Sequence, residues 1–347
     1  MNFKPILDKT PVNVSVPCRI DFGGTLDIST FYLSLAHLKP ATLNLALDMR
    51  TYVTLSAWTP GRIKISSKGF DTIERDHSEA GTDNPMGLMF AIARFFNAHG
   101  IHIHIASTSP PRSALGGSSS AAVAVIAAIY KALGKATDPE HIAWLAHYIE
   151  SSVAGVPCGM QDQAAAAFGG ANLWEWTIGR TGPEFIRTPL CVTPEETLRL
   201  NRHILVAYCG IPHVSKDING QWVNGFRTGE MVDCFEEITR VTREFSTAMK
   251  AEKFTLAGEL MNRETALRCE ITPEVLDNTG KKLFERAKAL QCGARFTGAG
   301  GGGCLWAVGD EKEIQALARS WKEILDAVEN GRLLATAIDT KGILFSE

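Results

Sequence analysis

The stretch PPRSALGGSSSAA, residues 110–122, carries the strongest structural signal in this chain, because it joins a Gly- and Ser-rich loop to a long, almost charge-free helix. We predict that this helix begins near Ser118 and ends at Gly134. The unpaired N–H groups and partial positive charge of a helix N-terminus bind anions, and Gly116 and Gly117 let a ligand come close to the backbone. The loop therefore predicts a phosphate site, with a serine N-cap on a buried helix as the alternative.

The composition is that of an ordinary globular protein, and its 347 residues are enough for two domains with their own cores. The formal net charge of -3 gives no electrostatic reason to expect nucleic acid or an anionic membrane as a partner. No apolar run is long enough to span a bilayer, and the first residues lack the layout of a secretory signal. The eight cysteines form no C-x-x-C pair. We expect a cytoplasmic protein with reduced thiols.

Alternation and turn residues predict the elements of the first half. Residues 12–20 read as a strand, and residues 51–57 and 62–66 read as a hairpin, since the Pro60-Gly61 pair between them suits a type II turn. A helix is expected at 85–99, followed by a strand at 101–105 that delivers the chain to the glycine loop.

A polar segment, residues 180–199, separates the first half from the second. We predict a strand at 203–209, helices through 235–249 and 273–290, the latter capped by Thr272, an amphipathic helix at 314–328 and a last strand near 334–338. The pattern is mixed α+β in two domains, residues 1–195 and 196–347. It lacks the regular alternation of a βα barrel or a doubly wound sheet.

Acidic and basic side chains in unusual settings are the candidates for chemistry. Glu150 lies at the border of a buried helical stripe, so its carboxylate needs a basic partner or a metal. Asp162 lies in an uncharged, alanine-rich segment that suits a general base beside a substrate hydroxyl, or a plain turn or cap aspartate. Arg19 and Asp27 flank a small-residue turn and suit a transferring phosphate and paired sugar hydroxyls, or a surface ion pair.

A second glycine-rich loop, residues 298–303, has five glycines in six positions. It lacks the following helix and the ribose-binding acid of a dinucleotide motif, and the chain contains no G-x-x-x-x-G-K-[ST] sequence. A structural hairpin rarely needs so many glycines. The loop predicts a close approach of the backbone to another group.

Together these four segments resemble the GHMP kinases, a family named for galactokinase, homoserine, mevalonate and phosphomevalonate kinases. The resemblance spans residues 16–307, with all of the family's motifs in order. Gln161-Asp162-Gln163, followed by Phe168-Gly169-Gly170, is most similar to the sugar kinases of the family. Within them the branch of D-glycero-D-manno-heptose 7-phosphate kinases resembles this chain best, with fucokinase and galactokinase domains as relatives.

The resemblance implies a fold, two cofactors and a set of site residues. The N-terminal domain would be ribosomal-protein-S5-like and the C-terminal domain ferredoxin-like, and the cofactors would be ATP and Mg²⁺. Asp162 and Arg19 match the catalytic residues, and Ser118 and Glu150 match the metal ligands. The matching nucleotide-binding residues are Pro111, Ser113, Leu115, Gly116, Gly117, Ser118 and Ser119. The matching substrate-binding residues are Asp27, Thr25, Asp162, Gly300 and Gly301.

The phosphate loop departs from the family pattern at three positions. Arg112 and Ala114 stand where the family carries glycines, and Gly117 replaces a usual serine. The turn after Arg19 is one residue shorter than in relatives and lacks the Glu-His pair of galactokinase. Both departures bear on the shape of the site.

From the resemblance we expect an ATP-dependent kinase that phosphorylates the anomeric hydroxyl of a sugar or sugar phosphate, acting as a monomer or homodimer. Galactokinase, L-fucokinase, a kinase of mevalonate-like alcohols and an inactive sugar and nucleotide sensor are the alternatives. His213 and Lys216 could reach a phosphate already present on the sugar, or belong to a solvated loop.

Overall fold

The computed structural model of this protein describes residues 1–179, 182–212 and 217–346. Within these ranges its strands are β1 (Val12–Phe22), β2 (Ala41–Ala57), β3 (Arg62–Ser67), β4 (Ile73–Asp76), β5 (Ile101–Ser107), β6 (Ala171–Gly179), β7 (Gly182–Pro189), β8 (Ile204–Tyr208), β9 (Gly293–Phe296), β10 (Cys304–Val308), β11 (Arg332–Leu333) and β12 (Leu344–Ser346). The helices are α1 (Lys4–Leu7), α2 (Ser29–Ser34), α3 (Gly87–Phe95), α4 (Gly117–Ala132), α5 (Pro139–Val153), α6 (Gln161–Phe168), α7 (Pro194–Asn201), α8 (Ile218–Arg227), α9 (Val232–Lys250), α10 (Phe254–Ile271), α11 (Asn278–Ala289) and α12 (Glu311–Leu325). Short 3-10 turns occur at Ala36–Leu38, His77–Glu79 and Pro273–Val275.

The larger sheet is built on two long antiparallel strands, β1 and β2. Its order is β12-β1-β2-β5-β3-β4, and β6 pairs with the first part of β2 and carries β7 beside it. The predicted hairpin of residues 51–57 and 62–66 is wrong in its pairing, because β5 lies between β2 and β3, antiparallel to the first and parallel to the second. The Pro60-Gly61 turn reverses the chain but does not decide whether the two strands pair directly, and the buried Ile101, Ile103 and Ile105 bring β5 into the core between them.

Helices α4 and α6 pack against this sheet, and α5 packs on both of them. The predicted long apolar helix is confirmed as α4, which is buried continuously from Ser119 to Ile129 and ends before Gly134, where φ is +65°. Asp138 caps α5 by accepting the backbone N–H groups of Glu140 and His141. Such packing leaves the N-termini of α4 and α6 beside each other.

The smaller sheet, of order β11-β8-β10-β9, belongs to the second half. The polar segment 180–199 contains β7 and α7, the latter begun by a capping box at Thr193. Helix α10 has no counterpart among the predicted elements, and the helix expected at 273–290 begins instead at Asn278, capped by Asp277. The strand expected near 334–338 is wrong: β11 precedes it, and β12 returns to pair with β1. The division at residue 195 stays a prediction.

The two halves share one hydrophobic core around the end of β1. Phe22 of β1 stacks on Phe245 of α9 with ring centroids 3.8 Å apart, and Trp306 of β10 donates its indole N–H to the carbonyl of Asp21. The polar residues at the end of β1 are therefore enclosed by both halves. All eight cysteines are free thiols. Among the described helices none is long and apolar enough to cross a membrane.

Candidate active site

The glycine loop reaches α4 through a left-handed residue, Gly116, whose φ is +77°. A Cβ at Gly116 would lie 3.1 Å from Oδ2 of Asp162, so the loop passes directly over that carboxylate. The hydroxyl of Ser120 donates to the carbonyl of Gly116 at 2.8 Å and ties the loop to the first turn of the helix. Ser118 and Gly117 are exposed beside this turn, whereas Ser119 is buried. The free N–H groups of the turn can bind a phosphate.

The two loop residues that stand where the family carries glycines adopt the backbone conformation that glycine would supply. Arg112 has φ +52° and Ala114 has φ +59°, both in the left-handed region. This conformation costs an L-residue about 1 kcal/mol. The carbonyl of Ala114 accepts a hydrogen bond from Nη1 of Arg19 at 2.7 Å, and that of Ser113 accepts one from the backbone N–H of Cys304 at 3.0 Å. These bonds hold the loop in its glycine-like shape despite the strain.

Arg19 of β1 and Asp162 of α6 form the ion pair at the centre of the site. Nε of Arg19 donates to Oδ1 of Asp162 at 2.7 Å, and the Asp162 side chain keeps 22% of its surface exposed. Burial would lower the pKa of the Arg19 guanidinium, but the charges of Asp162 and Asp21 outweigh it and raise that pKa above its ordinary value. The arginine therefore stays charged and holds one carboxylate oxygen while the other faces the glycine loop.

Asp27 lies at the base of the same site. Its Oδ2 accepts the backbone N–H of Gln161 at 2.9 Å, the residue next to Asp162, and a Cβ at Gly159 would overlap its carboxyl group. Burial raises the pKa of Asp27 to about 6, and the charge of Asp162 adds to the shift. A carboxyl group so short of solvent is well suited to accept hydrogen bonds from hydroxyl groups of a ligand.

Glu150 of α5 is the candidate metal ligand, and its surroundings fit a cation. Its Oε1 accepts the hydroxyl of Ser118 at 3.2 Å, and its Oε2 accepts the amide of Gln163 at 2.7 Å. Burial raises the pKa of Glu150 to about 7, and the charge of Asp162 adds to it. A half-buried carboxylate and an adjacent hydroxyl are the hard oxygen donors that Mg²⁺ prefers, and a cation would relieve their desolvation. In residues 1–179, 182–212 and 217–346 no cluster of three His, Cys, Asp or Glu side chains offers a separate metal centre.

We expect Glu150→Gln to stabilise the metal-free protein above pH 7. The pKa of the Glu150 carboxyl group is about 7 in the folded protein and 4.5 in the unfolded chain, so between these values the folded state binds more protons. The free energy of unfolding therefore falls as the pH rises from about 5 to 7. The neutral amide avoids this loss, which we expect to reach about 1–3 kcal/mol at pH 8. Thermal unfolding between pH 5 and 8 measures it.

Glu140→Gln on the same helix is the matched control and should show no such pH-dependent gain. Mg²⁺ added together with ADP should raise the melting temperature of the wild type more than that of Glu150→Gln. Equal Mg²⁺ effects on the two proteins would remove Glu150 from the metal site.

The second glycine loop packs against the first. A Cβ at Gly303 would lie 2.7 Å from the carbonyl oxygen of Ser113, and the N–H of Gly298 donates to Oδ1 of Asp21 at 2.7 Å. The close approach predicted for this loop is therefore an approach to the phosphate loop and to β1. Gly300 and Gly301 lie against Val275, with Gly301 donating to its carbonyl at 3.0 Å. Their contact with substrate stays a prediction.

Thr25 is engaged by the protein itself. It adopts φ +78°, and its hydroxyl oxygen accepts a hydrogen bond from Nη1 of Arg268 at 3.1 Å. Leu115 is buried and its carbonyl accepts the N–H of Arg19 at 3.1 Å, whereas Pro111 is exposed at the start of the loop. Substrate contact by Thr25 and nucleotide contact by the loop residues stay predictions.

Several polar residues of the site were not found by sequence analysis. Gln163 joins the site through Glu150, and its place in the Gln161-Asp162-Gln163 segment was the available signal. Asp21, near the end of β1, was given no role. The buried Glu264 and Arg295 carry no local signal, because Arg295 meets Asp21 from 274 residues away in the chain and Glu264 joins the site through Arg295. His213 and Lys216 lie outside the described residues.

Comparison with known proteins gives two family matches. Residues 86–170 match the family model of the GHMP kinases N-terminal domain, and residues 245–327 match that of the GHMP kinases C-terminal domain. A mevalonate kinase of Pyrococcus horikoshii is 28% identical, the match covering 90% of this chain and 93% of that protein. A D-glycero-alpha-D-manno-heptose 7-phosphate kinase of Campylobacter jejuni is 26% identical over 59% of this chain and 60% of its own.

The solved structures include a similar fold in a galactokinase of Lactococcus lactis complexed with galactose. Its TM-score is 0.74 at 18% identity, with 99% of this chain and 97% of that chain covered. The comparison shows a shared fold over the whole length, with mixed helices and sheets in two domains.

Proposed function

Because the chain belongs to the GHMP kinase family, whose members are phosphotransferases that use ATP, we propose that it transfers the γ-phosphoryl group of ATP to a sugar hydroxyl, the anomeric one. The observation that carries the proposal is the 2.7 Å ion pair between Arg19 and Asp162 directly under the glycine loop. Phosphoryl transfer needs a base, a cation and a phosphate-binding turn close to one another.

Asp162 would act on the acceptor. Arg19 holds Oδ1 of Asp162, so Oδ2 of Asp162 would accept the proton of the acceptor hydroxyl. The hydroxyl oxygen of the acceptor would at the same time bond to the γ-phosphorus. The bond from phosphorus to the bridging oxygen breaks, and ADP leaves with the electron pair. Phosphoryl transfer asks little covalent chemistry of the protein, so orientation of the hydroxyl would be the larger part of this role.

Arg19 and the first turn of α4 would neutralise the charge of the phosphoryl group in transfer. The guanidinium is buried, charged and fixed by Ala114 and Asp162, so it needs no reorganisation at the moment of reaction. Ser118 and Glu150 would hold Mg²⁺, which, when bound, offsets phosphate charge. Gln163 would keep the carboxylate of Glu150 aimed at that position.

Asp27 supports a sugar as the acceptor. Burial raises the pKa of Asp27 and the charges of Asp162 and Asp21 add to the shift, so hydroxyl donors are favoured over an anionic group at this position. A buried carboxylate accepts two hydroxyl groups with strong, charge-assisted hydrogen bonds. A galactokinase with this fold and a partly matching heptose 7-phosphate kinase agree with that substrate class.

Mevalonate phosphorylation is the second candidate, favoured by mevalonate kinases that match along 90% of this chain. Mevalonate is itself a carboxylate. Placing it beside Asp27 and Asp162 would bring like charges together, which costs free energy unless a cation intervenes. The two candidates therefore differ in the group that the acceptor places beside Asp27 and Asp162, hydroxyl groups of a sugar or the carboxylate of mevalonate.

An acceptor screen with ATP decides between these functions. ADP release should be seen with at least one of heptose 7-phosphate, fucose, galactose and uronic acids, with kcat/KM at least about 100-fold above that of mevalonate. Phosphorus NMR of the product should show an anomeric phosphate. Preference for mevalonate would replace the sugar assignment, and ATP binding without any turnover would favour the sensor.

Asp27→Asn should raise KM for the accepted sugar about tenfold to 100-fold, because the amide loses charge-assisted acceptance of hydroxyl groups. KM for ATP should stay within about twofold, since the nucleotide is expected on the opposite side of Asp162. An unchanged KM for the sugar would remove Asp27 from the substrate site.

A further inference from the structure

A buried row of alternating charges runs from helix α10 of the second half to the ion pair of the first half. In order along the row, which we call the charge ladder, its members are Arg268, Glu264, Arg295, Asp21, Arg19 and Asp162. The first five are at most 4% exposed. Only Asp162, at its end, reaches the open part of the site.

At the α10 end of the ladder, the carboxylate of Glu264 accepts hydrogen bonds from two arginines. Oε1 of Glu264 accepts Nε of Arg268 at 3.0 Å, and Oε2 accepts Nε of Arg295 at 2.8 Å. Arg268 also donates to the carbonyl of Gly24 at 2.7 Å, at the turn after β1. The guanidinium forks make these contacts directional, so Glu264 determines where both arginines lie.

In the middle of the ladder Asp21 is shared between Arg295 and Arg19. Nη1 of Arg295 donates to its Oδ2 at 3.1 Å, while its Oδ1 lies 3.3 Å from Nη1 of Arg19. The N–H of Gly298 donates to the same Oδ1 at 2.7 Å. A substitution of Arg295 must therefore change the position of the Asp21 carboxylate, and through it the position of the Arg19 guanidinium.

Stability alone is a poor explanation for such a ladder. Taking ions out of water is costly, and well-packed apolar side chains of similar volume often stabilise as well or better. Burial works to raise the pKa of Glu264, but the charges of Arg295 and Arg268 outweigh it and hold that pKa below its ordinary value. Each member of the ladder contacts an oppositely charged neighbour on both sides, except Arg268 and Asp162, which end it.

We propose that Asp21, Arg295 and Glu264 are positioning residues that hold the Arg19 guanidinium, and through it the Asp162 carboxylate, in the orientation needed for phosphoryl transfer. A side chain of α10 thereby sets the geometry of a reacting pair carried by β1 and α6. The inference relies on the proposed function for the roles of Arg19 and Asp162.

The NMR signal of the Nε–H group of Arg19 reports the position of the guanidinium and can be measured without enzyme turnover. In nitrogen-15 spectra of the full chain, the signal lost in Arg19→Lys identifies it. Glu264→Gln and Asp21→Asn should shift this signal and speed its exchange with solvent at least about tenfold. Glu175→Gln, which breaks the ion pair between β6 and Arg243 of α9, is the matched control between the two halves and should leave the signal unchanged.

A double-mutant cycle tests the effect on turnover. Asp21→Asn should lower kcat about tenfold in the wild type but less than about twofold in the Arg19→Lys background, because it acts through Arg19. Glu264→Gln should follow the same pattern, with KM for ATP unchanged. Each kcat is calculated per nucleotide-binding site, with the concentration of sites measured by calorimetry, so that misfolded protein does not lower the value.

An unchanged Arg19 signal in both variants, or equal effects in the two backgrounds, would overturn the proposal. If Glu264→Gln does not fold, Glu264→Asp keeps the charge, shortens the side chain and carries the same spectroscopic test. If the wild type phosphorylates no acceptor, the proposed function fails, whereas the Arg19 signal still decides whether the ladder positions the pair.

Discussion

Asp162→Asn should lower kcat about 10³-fold while ATP still binds within about threefold of its wild-type affinity. The amide oxygen can still accept Nε of Arg19, so the ion-pair geometry largely survives. What is lost is the basic oxygen under the glycine loop, which would orient the acceptor hydroxyl and take its proton. Steady-state kinetics with the accepted sugar and calorimetry with ATP measure the two quantities.

Asp138→Asn is the matched control for this substitution. It makes the same chemical change at the N-terminus of another helix, where asparagine caps as well as aspartate. Its kcat should equal that of the wild type. Near-normal turnover by Asp162→Asn would remove Asp162 from the mechanism, and loss of ATP binding would show that it acts on the nucleotide instead.

Arg19→Met should give the largest combined effect, because the carboxylates of Asp162 and Asp21 both lose the cation between them. Removing one partner of a buried ion pair costs about 3–5 kcal/mol of stability. A cation that stabilises the transferring phosphoryl group is worth about 10³-fold or more in kcat. Chemical denaturation and kinetics on the folded fraction separate these two losses.

Arg19→Lys keeps the charge but loses the fork that reaches Ala114 and Asp162 together. We therefore expect it to fold with a smaller loss of stability than Arg19→Met and to retain a measurable kcat between that variant and the wild type. If lysine restored full turnover, charge alone would suffice and the fixed geometry of Arg19 would have no part in the rate.

The local elements of the fold followed from the sequence wherever the pattern was strong. The charge-free stretch after the glycine loop could only be a buried helix, and α4 has almost the expected ends. The pairing of β2 with β3 failed, since a turn sequence reports that the chain reverses but not whether another strand inserts between the two. Helix α10 was missed because its buried face carries Glu264, Thr265 and Arg268 beside the apolar residues, which weakens the amphipathic period.

The parts of the candidate site that lie in sequence motifs could also be predicted from the sequence. The approach of the glycine loop to Asp162 and of Ser118 to Glu150 agrees with the roles expected of them. The departures at Arg112 and Ala114 turned out to keep a glycine-like backbone: both residues lie in the left-handed region, and the hydrogen bond from Arg19 to its carbonyl holds Ala114 there.

By itself the sequence indicated the family resemblance, the glycine loop before α4 and the candidate reacting groups, since these depend on residue types at short spacing. Only the tertiary structure decided the order of strands in the larger sheet and the partners of those groups. Asp21 of β1 meets Arg295 of β9 from 274 residues away in the chain, because charge complementarity in a buried space acts on distance in three dimensions, not on separation in sequence.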